Sequence, residues 1–134
     1  MIETLIQRAR TYIYTTALPP AVAEAVRASL KLVREEGWRR ERLRALVGRF
    51  HHGARNLGLA LTPSTTPIQP LILGSAEAAL AASRHLRARG ILVTAIRPPT
   101  VPDGSARLRI TFSAAHEESH IDRLLEALST VKSA

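Results

Sequence analysis

Apolar residues recur along this chain in two periods, and the points where the period changes mark its elements. Residues 2–10 read as a helix and residues 11–14 as an extended segment. Leu18-Pro19-Pro20 then interrupts the chain, because the residue before a proline is pushed out of helical backbone geometry. Val22, Val26, Leu30 and Val33 return at helical spacing, which predicts an amphipathic helix over residues 21–36. Pro20 suits its first turn, where a missing N–H costs nothing, and Gly37 suits its end. A second helix carries Leu43, Leu46, Val47, Phe50 and Leu57 on one stripe and ends near Gly58.

Beyond the polar, proline-broken stretch 62–67 the period shortens. Residues 68–73 predict a strand, and Pro70, which cannot donate to a ladder, predicts an edge position or a bulge. Ser75 is placed as the N-cap of a helix running to about Arg89, with Gly90 as its stop. Residues 91–96 form a short, β-branched apolar run, the pattern of a strand buried on both faces. Three prolines and Asp103-Gly104 make residues 97–104 a rigid loop. Residues 107–112 alternate: Leu108, Ile110 and Phe112 point one way, Arg107, Arg109 and Thr111 the other. Ile121, Leu124, Leu125, Leu128 and Val131 define a last helix. The element order predicts an α+β fold, a small and mostly antiparallel sheet of about three strands packed under helices.

Arg107 and Arg109 project from the polar face of their strand. Such residues serve either as solvated surface charge or as a planar fork that takes a carboxylate or phosphate at two points. Composition narrows the choice of partner. The 134 residues suit one domain, 46% are hydrophobic and only 4% aromatic, so the core is built from Leu, Val, Ile and Ala. No cysteine is present, which removes disulfides and thiolate metal sites and is compatible with the cytoplasm. No apolar run approaches the ~20 residues of a membrane span, and residues 1–8 lack the basic start and long apolar core of a signal peptide. A cytoplasmic protein without a membrane partner is expected.

The net charge of +8 raises a small basic nucleic-acid-binding module as an alternative, with residues 38–55 as its helix. Arginines exceed lysines seventeen to two and are interleaved with acids, as in Arg34-Glu35-Glu36 and Arg40-Glu41-Arg42. That distribution favours a solvated helix face over a phosphate-tracking surface. His51, His52 and His85 fall on helices among arginines and are expected to be solvated. His116-Glu117-Glu118-Ser119-His120 spells H-E-x-x-H, which as a zinc motif needs both histidines on one helix face. Here His116 is expected to precede the helical residues, and Glu117 and Glu118 instead place negative charge at a helix start. No metal ligand set and no catalytic residue is assigned.

RPPTVPDGSARLRITFSAAH resembles the C-terminal signature of the α-oxoamine synthases, enzymes of fold type I that use pyridoxal phosphate (PLP). These condense an amino acid with an acyl thioester and release carbon dioxide. Tyr14-Thr15-Thr16-Ala17-Leu18-Pro19-Pro20, Ile68-Gln69-Pro70-Leu71-Ile72 and Ile121-Asp122-Arg123-Leu124-Leu125-Glu126 agree with the same family. The match is nearest to the branch that joins L-alanine to a pimeloyl thioester, of coenzyme A or a carrier protein, in biotin synthesis; glycine- or serine-using branches are the alternatives.

The resemblance implies that residues 1–134 are a single unit, the small C-terminal domain with its preceding connecting segment, and that the large domain carrying the PLP lysine is absent. It implies that Arg109 grips the α-carboxylate of the amino-acid substrate and that Thr100 contacts substrate from the proline-rich loop. Thr15 and Thr16 correspond to the hydroxyl pair that reaches the cofactor phosphate of a neighbouring subunit, hence a homodimer. Arg107 is left as structural. Only Lys31 and Lys132 are available as amines, and neither stands in the family's lysine-and-glycine signature. The chain alone is therefore expected to bind no PLP covalently and to catalyse nothing.

Overall fold

The computed structural model describes residues 1–131. Two compact units divide the chain after Gly37. The first holds α1 (Ile2–Arg8), α2 (Arg10–Ile13) and α3 (Pro20–Glu35). Residues 11–14 are thus not extended. Ala9, with φ −73° and ψ 107°, breaks the first helix, and the N–H groups of Tyr12 and Ile13 then both donate to its carbonyl to start a single new turn. The amphipathic α3 begins at Pro20 as expected, and none of its residues is buried.

The second unit contains α4 (Trp38–Asn56), β1 (Ile68–Gly74), α5 (Ala76–Ala88), β2 (Thr94–Ile96), β3 (Ala106–Thr111) and α6 (Glu118–Ser129). The strands form one sheet in the order β1-β3-β2, antiparallel throughout, the α+β arrangement that the hydrophobic pattern predicts. Alternation fixes which face is covered. Leu71, Leu73, Ala106, Leu108 and Ile110 are buried with Phe112 against α5 and the α4–α6 pair. Phe50 of α4 meets Phe112 with ring centroids 5.2 Å apart. Full burial of a leucine such as Leu108 stabilises the fold by roughly 1.5–3 kcal/mol.

Of the three expected glycine stops, Gly58 and Gly90 are realised as Schellman motifs, whereas Gly37 follows the Glu36 cap of α3 without a positive φ. At the end of α5 the Gly90 N–H donates to the Arg87 carbonyl and the Ile91 N–H to the Leu86 carbonyl, with Gly90 at φ +75°. Gly58, at φ +67°, ends α4 the same way through Arg55 and Ala54. The start of α5 is capped by the Ser75 hydroxyl, which accepts from the Ala78 N–H at 3.1 Å.

Pro70 lies on an edge strand, and the hydrogen bonds explain why it is tolerated there. The Thr62 N–H donates to the Pro70 carbonyl and the Ile72 N–H to the Ala60 carbonyl, so these residues turn their backbone polar groups away from β3. Pro70 and Arg109 are consequently a non-hydrogen-bonded pair, and the missing N–H costs no ladder bond. A register shift between Ile72 and Gly74 supplies the expected irregularity.

The apolar run 91–96 is not a strand buried on both faces. Only Thr94–Ile96 pair, on the other edge of the sheet, while Leu92 is 84% exposed. Ile91 is consumed in the end of α5, and the Val93 carbonyl accepts from the Ser83 hydroxyl of α5 at 2.7 Å.

Candidate functional site

The sheet face turned away from α5 gathers the residues with chemistry. Register places three rows across it. Ile68 pairs with Thr111; Pro70, Arg109 and Thr94 form the middle row; Ile72, Arg107 and Ile96 form the third. Arg109 is therefore at the centre of a face that Ile68, Pro70, Ile72 and Ile96 share with Thr94, Arg107 and Thr111, exposed, with the closest kind of cross-strand neighbour in Pro70. Its own backbone groups point toward β2, so Thr94 and Arg109 form a hydrogen-bonded pair that holds the arginine from the other side.

The loop 97–105 leaves the sheet at the Ile96–Arg107 row, next to that of Arg109 and about 7 Å from it along the strand. It is built as a rigid turn. The Pro98–Pro99 peptide is cis, the Thr100 N–H donates to the Arg97 carbonyl at 3.0 Å, and the Ser105 hydroxyl donates to the Pro102 carbonyl at 2.6 Å. Thr100 is exposed on this loop. Arg107 is half-buried, and its Nε donates to the Ser105 carbonyl at 2.9 Å, fastening the loop to the strand that carries Arg109. Alternation puts both arginines on one face, and their surroundings divide them: Arg107 is half-buried and tied to the loop, while Arg109 is exposed.

Thr15 and Thr16 belong to the first unit, between α2 and α3. The Thr15 hydroxyl and N–H both donate to the Tyr12 carbonyl, at 2.7 and 2.9 Å. Thr16 is exposed. Lys31 is exposed on α3, in a hollow shared with Glu24, Arg27, Arg34 and Glu35. Lys132 lies outside the described residues.

The histidines separate from one another. His51, expected to be solvated, is half-buried, and its Nε2 lies 2.6 Å from the Gln69 side-chain oxygen. Gln69 is fully buried and gives its amide N–H groups to the carbonyls of Ser64 and Thr66, at 3.2 and 2.6 Å. This knot fixes the approach of the chain to β1. Sequence reading missed it, although Gln69 shares its strand face with Leu71 and Leu73. His85 meets the Thr130 hydroxyl at 2.8 Å.

His116 does precede α6, and Glu117 is the helix's N-cap. The Nδ1 atoms of His116 and His120 accept from the Ser113 and Glu117 N–H groups, at 3.0 and 3.1 Å. Among the described residues no group of three or more His, Cys, Asp or Glu is placed to hold a metal ion.

The basic face of α4 is partly engaged with α6. Arg49 donates Nε and Nη2 to the two Asp122 carboxylate oxygens, both at 2.8 Å, and its Nη1 lies 2.8 Å from Glu118. The hydrogen bonds from Arg49 hold the Asp122 carboxyl below its ordinary value, and the same bonds raise the guanidinium. Arg42 donates to the His116 carbonyl at 3.1 Å. No helix of the described residues is long and apolar enough to cross a membrane.

Arg109 thus stands exposed on an open sheet face beside a proline-stiffened hairpin, and comparison with known proteins identifies the class of the chain. The family model described as aminotransferase class I and II matches residues 1–128, and the chain belongs to that family. Its relatives include the 8-amino-7-oxononanoate synthases of Nitrosococcus oceani, 63% identical over 98% of this chain, and of Methylococcus capsulatus, 65% identical over 96%. The chain spans 35% and 33% of those two proteins. Among solved structures, Sphingomonas wittichii serine palmitoyltransferase superimposes with a TM-score of 0.88 at 29% identity, covering 97% of this chain and 33% of that one. An 8-amino-7-oxononanoate synthase from Francisella tularensis gives 0.81 at 32% identity, covering 96% and 37%. The fold is thus that of one third of a fold type I PLP enzyme.

Proposed function

We propose that this chain is the C-terminal part of an 8-amino-7-oxononanoate synthase. The whole enzyme would join L-alanine to a pimeloyl thioester, of coenzyme A or a carrier protein, with loss of carbon dioxide in biotin synthesis. The observation that carries the reading is Arg109, held exposed between Pro70 and Thr94 at the centre of the open sheet face. Identity of 63% to such synthases, against 29% to a serine palmitoyltransferase, favours this branch over the serine-using one.

Arg109 binds the α-carboxylate of alanine through two parallel N–H···O bonds. Apolar neighbours on the same face strengthen the contact by keeping water from it. Holding the carboxylate also orients the bond that must break, so the residue acts on turnover as well as binding. Thr100 contacts the substrate from the rigid loop. PLP, in the whole enzyme, supplies an electron sink for bond breaking at the α-carbon. Toward its phosphate this chain offers Thr16 as it stands, whereas Thr15 must first release the Tyr12 carbonyl. The amine that holds the cofactor belongs, in this reading, to the two thirds of the relatives' length outside this chain. A cytoplasmic homodimer, in which the threonines of one subunit reach the cofactor of the other, completes the proposal.

The test is a chimera in which this segment replaces the matching third of the Nitrosococcus oceani relative. Arg109→Ala should weaken alanine binding by roughly 2–4 kcal/mol and lower kcat as well. Arg109→Lys should recover part of the loss, since a point charge cannot reproduce the fork. Arg107→Ala should affect stability more than turnover. Wild-type kinetics in Arg109→Ala would show that the carboxylate binds elsewhere.

A further inference from the structure

The ladder between β2 and β3 stops at the Thr94–Arg109 pair, although β3 runs on. Where the next rungs would be, residues 91–93 splay away and leave a cavity of about 380 Å³. That is within the size range of ordinary ligand pockets, ~300–1,000 Å³. Its floor is apolar, formed by Val93, Ile110, Phe112, Ile121 and Leu124. The remaining wall is lined by His116, His120 and Arg123.

The cationic and imidazole groups of this wall are donors, and Thr111 adds a hydroxyl that can donate or accept. Each histidine uses Nδ1 to accept a backbone N–H, so a neutral ring carries its proton on Nε2 and can only donate there. Arg123 spends one N–H on the Arg89 carbonyl at 3.4 Å and keeps the rest of its fork. The acids of α6 are directed elsewhere. Glu117 accepts the His120 N–H in the capping box, while Glu118 and Asp122 are paired with Arg49. At 100° per residue these last two project from the helix side opposite His120 and Arg123. Glu126 lines a neighbouring hollow that shares Arg123, and no acid among the described residues lines this cavity.

We propose that this cavity binds a small amphiphilic carboxylate, its apolar tail on Val93, Phe112 and Leu124 and its head group on Arg123 and the two histidines. The site is separate from Arg109, which projects from the open face of the sheet, and it does not depend on the function proposed above.

The experiment is a titration of the chain with sodium octanoate, below its micelle concentration, followed by methyl and histidine-ring NMR. Saturable shifts are expected at Val93, Ile110, Leu124 and His120. 1-Octanol, which has the tail without the charge, should bind about tenfold more weakly or worse, the size of one charge-assisted hydrogen bond. Arg123→Gln should weaken octanoate by a similar factor and leave octanol unchanged, and Arg109→Gln should leave the octanoate shifts in place. Leu92→Trp, at an exposed position on the cavity's mouth, tests the site without touching the fold and should weaken both ligands. Absence of saturable shifts, equal binding of octanol and octanoate, or loss of the shifts in Arg109→Gln overturns the proposal.

Discussion

The amide oxygen of Gln69 and the Nε2 of His51 lie 2.6 Å apart, joining β1 to α4 beneath the sheet. With its two bonds to the Ser64 and Thr66 carbonyls, Gln69 has every polar atom satisfied in a fully buried position. Gln69→Leu has about the right size but strands those partners, and should cost roughly 2–3 kcal/mol despite adding apolar area. Urea unfolding checks this as a lower midpoint at unchanged slope.

Two glycines of α4 should respond in opposite directions to the same change. A Cβ at Gly48 meets nothing within 4 Å, so Gly48→Ala should stabilise the helix by up to about 1 kcal/mol. A Cβ at Gly53 runs into the Leu125 side chain of α6. Gly53→Ala should therefore lose its propensity gain to the repacking of Leu125 and come out neutral to about 2 kcal/mol destabilising. The difference between the two midpoints is the measurement.

Asp122 gives the fold a dependence on acid. Its carboxyl titrates below the ordinary 3.8 because Arg49 donates two hydrogen bonds to it, so the stabilisation is complete above that value. It is lost as pH falls through the lower, folded-state pKa. The stability gap between the wild type and Asp122→Asn should be full above pH 3.8 and should narrow progressively as the pH is lowered below it. A gap that persists in acid would assign the effect to packing.

Mixed with PLP, the chain should give no adduct that borohydride fixes. Lys31 sits exposed among Arg27, Arg34 and two glutamates, without the enclosed site that activates a Schiff-base lysine. Mass spectrometry after reduction checks this, and a pyridoxyl group mapped to Lys31 or Lys132 would be the contrary result.

Much of this architecture was legible in local pattern. Ser75, Gly58 and Gly90 mark helix ends because each carries its own bonding geometry in sequence. The alternation of residues 107–112 separates the polar face of Arg107 and Arg109 from the core face, and Pro70 declares its edge. Pairing was less legible. Residues 91–96 look like a full buried strand, yet the Leu86 carbonyl takes Ile91 and the Ser83 hydroxyl takes Val93, both partners from α5. Residues 11–14 turn helical through bonds to Ala9 that no periodicity announces. At the site, Arg109 and its loop followed from pattern and resemblance together. The Gln69 knot did not, because a lone polar residue on an apolar strand face does not say which distant groups will satisfy it.

The placement of Pro70 has a consequence for how this chain meets others of its kind. One margin of the sheet is closed by proline and by the bridge of Leu61 to Leu71, and the other offers only the three residues of β2. Neither margin can template a new strand over any length, which is how soluble sheets avoid fibril growth. Ile2, Leu5, Val22, Val26 and Leu30 nonetheless remain exposed on α1 and α3. Self-association should therefore proceed through helical side chains, and it should dissolve on dilution and leave no cross-β diffraction.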